Sequence, residues 1–159
     1  MDDVYWMRRA LQLAEYAKNT LDEVPVGAVI LDAQGQLVAE GWNCMKTTND
    51  PSAHAEIVAI RRAGLQCGNY RLPGCSLYVT LEPCLMCAMA IIHARIATVV
   101  FAAPDPKTGA CGSVFHTFSD PRHNHAVHLG ACVLQEEAAQ QLREFFRQRR
   151  KQQSTQPGH

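Results

Sequence analysis

The feature that most constrains this chain is an uncharged helical segment that starts at a Cys-x-x-Cys motif and lies between two strand-like segments. Residues 76–81 and 98–102 are rich in apolar and β-branched side chains, as strands are. Between them, Glu82-Pro83 predicts a helix start, and the helix continues to about Ala94 with no charged side chain from Leu85 to Ile92. This order predicts a β-α-β unit with parallel strands and a helix that is buried on most sides.

Other periodic segments extend this unit into an α/β fold. In chain order the predicted elements are a helix over about residues 3–20, an antiparallel hairpin of residues 24–31 and 36–42, a helix over 51–63 that ends at Gly64, a short strand near 127–133 and a helix from about residue 135. We expect a three-layer α/β/α sandwich with a central mixed sheet of about five strands. Residues 1–150 should form a single domain, and residues 151–159 a disordered polar tail.

The charge balance argues against a general attraction to nucleic acid, because 15 acidic side chains offset the 15 basic ones among 159 residues. A local basic cluster nevertheless lies near the C-terminal end, where a single acid, Glu144, stands among Arg143, Arg147, Arg149, Arg150 and Lys151. By default such a run is the solvated end of a helix. No apolar run approaches the length of a membrane span, so we expect no membrane association.

The chain has seven cysteines, an odd number, and its first residues turn amphipathic at once without a signal peptide. We therefore expect a protein of the reducing cytoplasm. Five cysteines outside the motif are expected mainly as small buried apolar residues: Cys44, Cys67, Cys75, Cys111 and Cys132. The Cys-x-x-Cys motif by itself is shared by redox sites and zinc sites.

His54-Ala55-Glu56, about thirty residues before the motif, makes the cysteines part of a larger pattern. His54, Cys84 and Cys87 supply three ligands, whereas structural zinc sites normally have four protein ligands. Both cysteines are expected on one face of the first helical turn, where the helix dipole favours their thiolate forms. Residues two apart on a helix do not share a face, so His54 and Glu56 are better read as one ligand and one acid or base. Three ligands with a carboxylate beside an open position indicate a catalytic site.

Each of these residues also has a simpler interpretation. A histidine near a helix start is commonly a capping residue, and Glu56 could be an ordinary acid that the helix dipole stabilises. The cysteines could be core residues or a redox pair. All of these alternatives must hold at once in one ordered context, so we favour the metal site.

Together, His54-Ala55-Glu56 and Pro83-Cys84-Leu85-Met86-Cys87 resemble the signature of the zinc-dependent nucleobase deaminases. Within that group the chain is similar to the bacterial tRNA adenosine deaminases over nearly its whole length. The segments that carry this closer likeness are Glu23–Val29, Gly41–Asn43, the helix containing His54, Tyr78–Pro83, Lys107–Gly109 and Phe145–Arg147. The resemblance implies a cytidine-deaminase-like fold for the α/β/α sandwich.

The resemblance further implies hydrolytic deamination of adenosine to inosine at the wobble position of a tRNA anticodon. It implies a homodimer with one zinc ion per subunit and the tRNA anticodon stem-loop as partner. His54, Cys84 and Cys87 would bind the zinc ion, and zinc-bound hydroxide would attack C6 of adenine while Glu56 transfers protons. Iron or cobalt could occupy the same ligands, and zinc is preferred from ligand type and resemblance.

Substrate contacts are also implied by the resemblance. The Val26 region and Asn43 would hold the base, Ala55 would offer a backbone contact, and the loop around Asp105 would meet the target nucleotide. From the residues alone, Asn43 and Asp105 could equally be turn residues.

Two other functions stay open at this point. One is a deaminase of small substrates such as guanine or deoxycytidylate, which would share the metal motif. The other is a non-catalytic, zinc-stabilised RNA-binding module. Glu56 argues against the second, because a purely structural zinc site has no use for an acid at that position.

Overall fold

In the computed structural model, which describes residues 1–155, five strands form one mixed sheet in the order β2-β1-β3-β4-β5. The strands are β1 (Gly27–Leu31), β2 (Leu37–Trp42), β3 (Ser76–Leu81), β4 (Thr98–Ala103) and β5 (His128–Leu129). Strand β1 pairs antiparallel with both β2 and β3, whereas β3, β4 and β5 are parallel. The predicted hairpin and the predicted parallel β-α-β unit are therefore confirmed.

Helices cover both faces of this sheet. They are α1 (Asp3–Leu21), α2 (Met45–Thr48), α3 (Ala55–Cys67), α4 (Leu85–His93) and α5 (Gln135–Thr155). Helices α1 and α5 contribute Met7 and Ala138 to the apolar core on one face, and α3 and α4 contribute Ala59 and Ile91 to the core on the other. The three-layer α/β/α sandwich is thus confirmed. Within residues 1–155, no helix combines the length and apolar character that crossing a bilayer requires.

Two glycines of the hairpin let helices approach the sheet backbone closely. A Cβ atom on Gly27 would overlap the carbonyl oxygen of Ala10 in α1, and one on Gly41 would overlap that of Ala55 in α3. Any side chain at these positions would push the helix away from the sheet, because neither backbone can give way cheaply. The contact at Gly41 therefore sets the position of the first turn of α3, which carries Glu56.

Helix α3 starts four residues later than predicted, at Ala55 rather than Pro51. The Asp50 carboxylate accepts hydrogen bonds from the backbone N–H and the hydroxyl of Ser52, at 2.9 and 2.7 Å, so this aspartate stabilises a turn and caps no helix. The helix passes through Gly64 and ends at Gly68, whose φ of 65° is the left-handed conformation that glycine favours. The predicted helix limits were therefore wrong at both ends, and the short helix α2 lies between strand β2 and helix α3.

Helix α5 continues to Thr155, so the prediction of a disordered tail is wrong for residues 151–155. Residues 135–155 contain neither proline nor glycine, and their many Gln, Glu and Arg side chains have good helix propensity. An ion pair of 2.9 Å between Arg149 and Asp22 also ties the helix to the end of α1. The rest of the predicted tail, residues 156–159, lies outside the described residues.

The seven cysteines are free thiols. Among the five outside the motif, Cys44, Cys75 and Cys111 are buried, as expected for small apolar residues. Cys67, the last residue of α3, and Cys132, in the segment before α5, are exposed. The expectation of burial is wrong for these two, because both lie where an element ends at the surface.

Candidate active site

Helices α3 and α4 begin on residues that seldom cap helices. Their N-cap residues are His54 and Cys84, both with extended backbone, and in the part of the chain that the structure describes neither side chain makes a capping bond to its own helix. Serine, threonine, aspartate or asparagine would supply that bond and stabilise the helix. Giving up the capping bond at two neighbouring helix starts is typical of a functional site.

His54, Cys84 and Cys87 converge on one point. The Nδ1 atom of His54 lies 3.6 Å from the sulfur of Cys84 and 3.4 Å from that of Cys87, and the three atoms all lie within 4.8 Å of one another. Zinc bonds of about 2.3 Å to sulfur and about 2.0 Å to nitrogen, at a tetrahedral angle, imply a sulfur-to-nitrogen distance of about 3.5 Å. The three donor atoms therefore fit one tetrahedral zinc ion and leave its fourth position for a ligand from outside the chain.

The two thiols of this cluster differ in protonation. A hydrogen bond from the Cys87 thiol, reinforced by His54, lowers the pKa of Cys84 to about 4. The pKa of Cys87 is raised, because its proton is shared with the Cys84 thiolate and its side chain is buried. The hydrogen bond to Cys84 also raises the pKa of His54. One thiolate is thus ready at neutral pH, and metal binding must displace the proton of Cys87.

Glu56, the second residue of α3, is buried beside the cluster with 4% of its surface exposed. Burial raises the pKa of Glu56 to about 7. A carboxyl with a pKa near neutrality can accept and donate a proton at pH 7, which is the property required of a general acid and base.

Asn43 is buried and joins three segments around the cluster. Its side-chain oxygen accepts a hydrogen bond of 2.9 Å from the backbone N–H of Ala55, and its side-chain nitrogen donates one of 3.1 Å to the carbonyl of Val24. Its backbone N–H donates to the carbonyl of Val26 at 3.1 Å. A turn residue at the surface would not be buried with both ends of its amide engaged. The structure therefore brings Val26, Asn43 and Ala55 together, with the Ala55 N–H already bonded inside the protein.

Asp105 lies in the loop of residues 104–113, which we term the 104–113 loop. Its carboxylate accepts hydrogen bonds of 3.0 and 3.2 Å from the N–H groups of Lys107 and Thr108, and one of 2.8 Å from the Thr108 hydroxyl. These contacts match the turn interpretation of this residue. Asp105 therefore shapes its own loop, and the His54, Cys84 and Cys87 cluster does not include it.

Glu82 is a further buried side chain, which the sequence pattern indicated only as part of a helix start. Its carboxylate accepts hydrogen bonds from the N–H groups of Asp105, Cys111 and Ser113, at 3.0, 2.9 and 3.1 Å, and from the Ser113 hydroxyl. Burial acts to raise its pKa, but these hydrogen bonds outweigh burial and lower it. In the sequence, only its position as an acid directly after an apolar strand points to Glu82. Its hydrogen-bond partners lie 23 to 31 residues further along the chain, so no local pattern includes them.

A cavity of about 850 Å³ lies between the 104–113 loop and helix α5. The loop contributes residues 104–108, and α5 contributes Gln140, Leu142, Arg143, Phe146, Arg147 and Arg150. The cavity lining does not include His54 or Glu56, but it includes Val24, whose carbonyl accepts a hydrogen bond from the side chain of Asn43. Three arginines and the exposed ring of Phe146 give this cavity the groups that bind phosphates and stack on bases.

Comparison with known proteins agrees with this geometry. The family model of the cytidine and deoxycytidylate deaminase zinc-binding region matches residues 1–103, which include His54, Glu56 and the cysteine motif. The fold and the site therefore define a zinc-binding deaminase, as the motifs predicted.

Comparison with individual proteins shows which family of deaminases this chain belongs to. The tRNA-specific adenosine deaminase of Haemophilus influenzae is 50% identical over 94% of this chain and 86% of that protein. A solved tRNA:A34 deaminase, from studies of A-to-I editing at the wobble position, is 44% identical with a TM-score of 0.83, over 87% of this chain and 99% of that one. Guanine deaminase from Bacillus subtilis is 34% identical with a TM-score of 0.65, over 93% and 95%. The chain belongs to the tRNA-specific adenosine deaminase family, and the predicted cytidine-deaminase-like fold is confirmed.

Proposed function

We propose that this protein hydrolyses adenosine to inosine at the wobble position of a tRNA anticodon, with water consumed and ammonia released. The observation that carries the proposal is the His54, Cys84 and Cys87 cluster with Glu56 buried beside it, in a chain half identical to a tRNA-specific adenosine deaminase. The fold alone would not select the substrate, because related folds host different deaminases.

His54, Cys84 and Cys87 would hold one zinc ion per subunit. Zinc bound there lowers the pKa of water toward about 7 and so supplies the nucleophile for C6 of adenine. Glu56 would take the first proton that the water releases and deliver it to the ring, and it would later carry the remaining hydroxyl proton to the departing amino group. Its burial supports this role, because a site closed to bulk water keeps these protons with the reactants.

Val26, Asn43 and Ala55 would hold the flipped adenine against the cluster. The Asn43 amide group has two hydrogens, of which one is given to Val24, so the other is a donor for the base. The backbone near Ala55 is held in place by Asn43 and by the close contact at Gly41. Asp105 would act on the target nucleotide through the shape of its loop.

The cavity beside helix α5 suits the rest of the anticodon loop. Single-stranded RNA is bound by cationic groups that follow its backbone and by aromatic rings that stack on its bases. Arg143, Arg147 and Arg150 line the cavity together with Phe146, a residue that is 45% exposed. We therefore assign the basic end of α5 to contacts with the anticodon stem-loop.

Two finer proposals concern assembly and location. Helix α4 is uncharged from Leu85 to Ile92, yet Leu85 and Met86 are 44% and 40% exposed, which suits contact with a second copy of the chain. We propose a homodimer in which this face of α4 is buried. A cytoplasmic location fits a tRNA substrate and seven free thiols.

Deamination of free guanine is the second candidate, because the Bacillus subtilis guanine deaminase is 34% identical over nearly its whole length. The deciding experiment incubates the zinc-loaded protein with an anticodon stem-loop that has adenosine at the wobble position. Parallel reactions contain guanine, adenosine and deoxycytidylate. We expect inosine in the stem-loop alone, whereas turnover confined to the small substrates would overturn the proposal.

A further inference from the structure

The carboxylate of Glu82 is a buried centre around which the 104–113 loop folds. Only 3% of the surface of this residue is exposed. Its Oε1 atom accepts hydrogen bonds from the N–H of Asp105 and the hydroxyl of Ser113, and its Oε2 atom accepts them from the N–H groups of Cys111 and Ser113. Hydrogen bonds to a charged acceptor are stronger than those between neutral groups. This one side chain therefore holds both ends of the loop.

The middle of the loop is closed over the same carboxylate. A Cβ atom on Gly109 would overlap the carboxyl group of Glu82, so only glycine allows the backbone this approach. The Gly109 N–H donates to the carbonyl of Asp105 at 3.0 Å, and the Ala110 N–H donates to that of Pro83 at 2.8 Å. The loop is thus fixed to the strand β3 end and to the residue before Cys84.

The same loop forms one wall of the cavity whose other wall is helix α5. Residues 104–108 line the cavity, and the N–H of Asp105 in this wall is bonded directly to Glu82. Helix α5 is held separately, through Ala138 in the core and through the ion pair between Arg149 and Asp22. Glu82 therefore helps to fix the loop wall of the cavity, and it does not hold the wall that helix α5 forms.

We propose that Glu82 is a positioning residue that sets the affinity for the RNA substrate by fixing the 104–113 loop opposite helix α5. This inference rests on the proposed function, since it assumes that the cavity receives the anticodon loop. Glu82 does not line the cavity, and the cluster of His54, Cys84 and Cys87 does not include it. Its substitution should therefore weaken binding of the substrate and of the transition state by the same amount. Such a loss raises KM and leaves kcat nearly unchanged.

The test is Glu82→Gln, which keeps the size of the side chain. The amide nitrogen of glutamine cannot accept a hydrogen bond, so at least one backbone N–H loses its acceptor in either orientation of the amide. We expect KM for the stem-loop to rise by about tenfold or more while kcat changes by less than about threefold and zinc content stays the same. The control is Glu40→Gln. Glu40 lies on strand β2, its carboxylate pairs with Arg9, and it does not line the cavity.

Hydrogen–deuterium exchange gives a direct second readout. In Glu82→Gln the N–H groups of Asp105, Cys111 and Ser113 should exchange at least about tenfold faster, while those of helix α1 keep their wild-type rates. An unchanged KM, unchanged exchange in the loop, or a fall in kcat with wild-type KM in folded, zinc-loaded protein would each overturn the inference.

A second variant and the wild-type reaction on RNA complete the test. If Glu82→Gln does not fold, Ser113→Ala removes only the hydroxyl donor of an otherwise exposed residue, and KM should then rise by about threefold with folding intact. An unchanged KM in that variant would count against the inference in the same way. Wild-type protein that deaminates only small substrates would overturn the proposed function, whereas wild-type activity on RNA with an unaffected Glu82→Gln variant would overturn this inference alone.

Discussion

The side-chain oxygen of Asn43 accepts a hydrogen bond of 2.9 Å from the backbone N–H of Ala55. Asn43 directly follows strand β2, and Ala55 is the first residue of helix α3, between His54 and Glu56. One buried amide therefore joins the edge of the sheet to the turn that carries a zinc-ligand candidate and the proton-transfer candidate. The same residue bonds to the carbonyls of Val24 and Val26, so it fixes that turn against the start of strand β1 as well.

Asn43→Ala should lower the free energy of unfolding by about 1–3 kcal/mol, because the buried Ala55 N–H loses its acceptor. Displacement of Glu56, together with loss of the proposed Asn43 donor to the base, should also lower kcat by at least about tenfold. Urea unfolding and stem-loop kinetics measure the two effects. Asn43→Asp is the matched control, since it keeps the acceptor for Ala55 and loses the donor to Val24. Wild-type stability in Asn43→Ala would show that the hydrogen bond does not hold the turn.

Glu56→Gln should retain zinc and lose turnover by a factor of about 10² to 10⁴, the usual contribution of general acid and base catalysis. Glutamine keeps the shape of the side chain but can neither accept nor release a proton at neutral pH. Zinc content by elemental analysis and inosine formation from the stem-loop should be measured on the same sample. Retained activity with full zinc content would exclude the proposed proton transfer.

Zinc affinity should rise with pH near neutrality, by about tenfold per pH unit for each proton displaced. The pKa of Cys87 is raised, so its thiol is protonated at pH 7 and must release that proton to bind the metal. Calorimetry in buffers of different ionisation enthalpy should count at least one proton released per zinc ion. In Cys87→Ser that released proton should be missing, and an affinity that does not change with pH in the wild type would contradict the prediction.

Arg147→Ala should weaken RNA binding and make it less sensitive to salt. Each phosphate contact contributes about 0.7 to the slope of log affinity against log salt concentration for single strands. Titrations of the stem-loop at several salt concentrations would measure this slope. Arg122→Ala provides the control, because Arg122 is highly exposed and does not line the cavity. Equal slopes for Arg147→Ala and the wild type would remove Arg147 from the RNA contacts.

Met86→Arg should convert the proposed homodimer into a monomer, because a charged side chain in the centre of an apolar contact lacks a partner. Light scattering coupled to size-exclusion chromatography would give the mass in solution. Leu65→Arg is the control, since Leu65 is 85% exposed on helix α3 and should not affect assembly. A wild-type protein that elutes with the mass of one chain would contradict the dimer proposal.

Local patterns in the sequence predicted the strands and the long helices well, since alternation and helical periodicity report which side chains face the core. They failed at the start of α3, where Asp50-Pro51 has the composition of a helix cap and forms a turn instead. The actual N-cap residue is His54, whose side chain is directed at two cysteines thirty or more residues away. Local helix propensity does not report contacts between residues so far apart in sequence, so it could not identify His54 as the N-cap residue.

The motifs likewise predicted which residues meet at the candidate site, and the structure brings His54, Cys84 and Cys87 together. Glu82 could not be found in this way, because its partners lie on a loop that has no periodic pattern. Its importance appears only when the N–H groups of Asp105, Cys111 and Ser113 are seen to share one buried acceptor. The cavity beside α5 was missed for the same reason, since its two walls are distant in sequence.

Helix α4 carries Cys84 and Cys87 at its start and the exposed Leu85 and Met86 on the same turn. Two binding equilibria that stabilise the same short segment are thermodynamically linked, so each strengthens the other. Zinc occupancy and self-association should therefore reinforce each other, so that dilution favours metal loss and chelation favours dissociation. A nine-residue helix would in this way tie the oligomeric state of the protein to the supply of a metal ion.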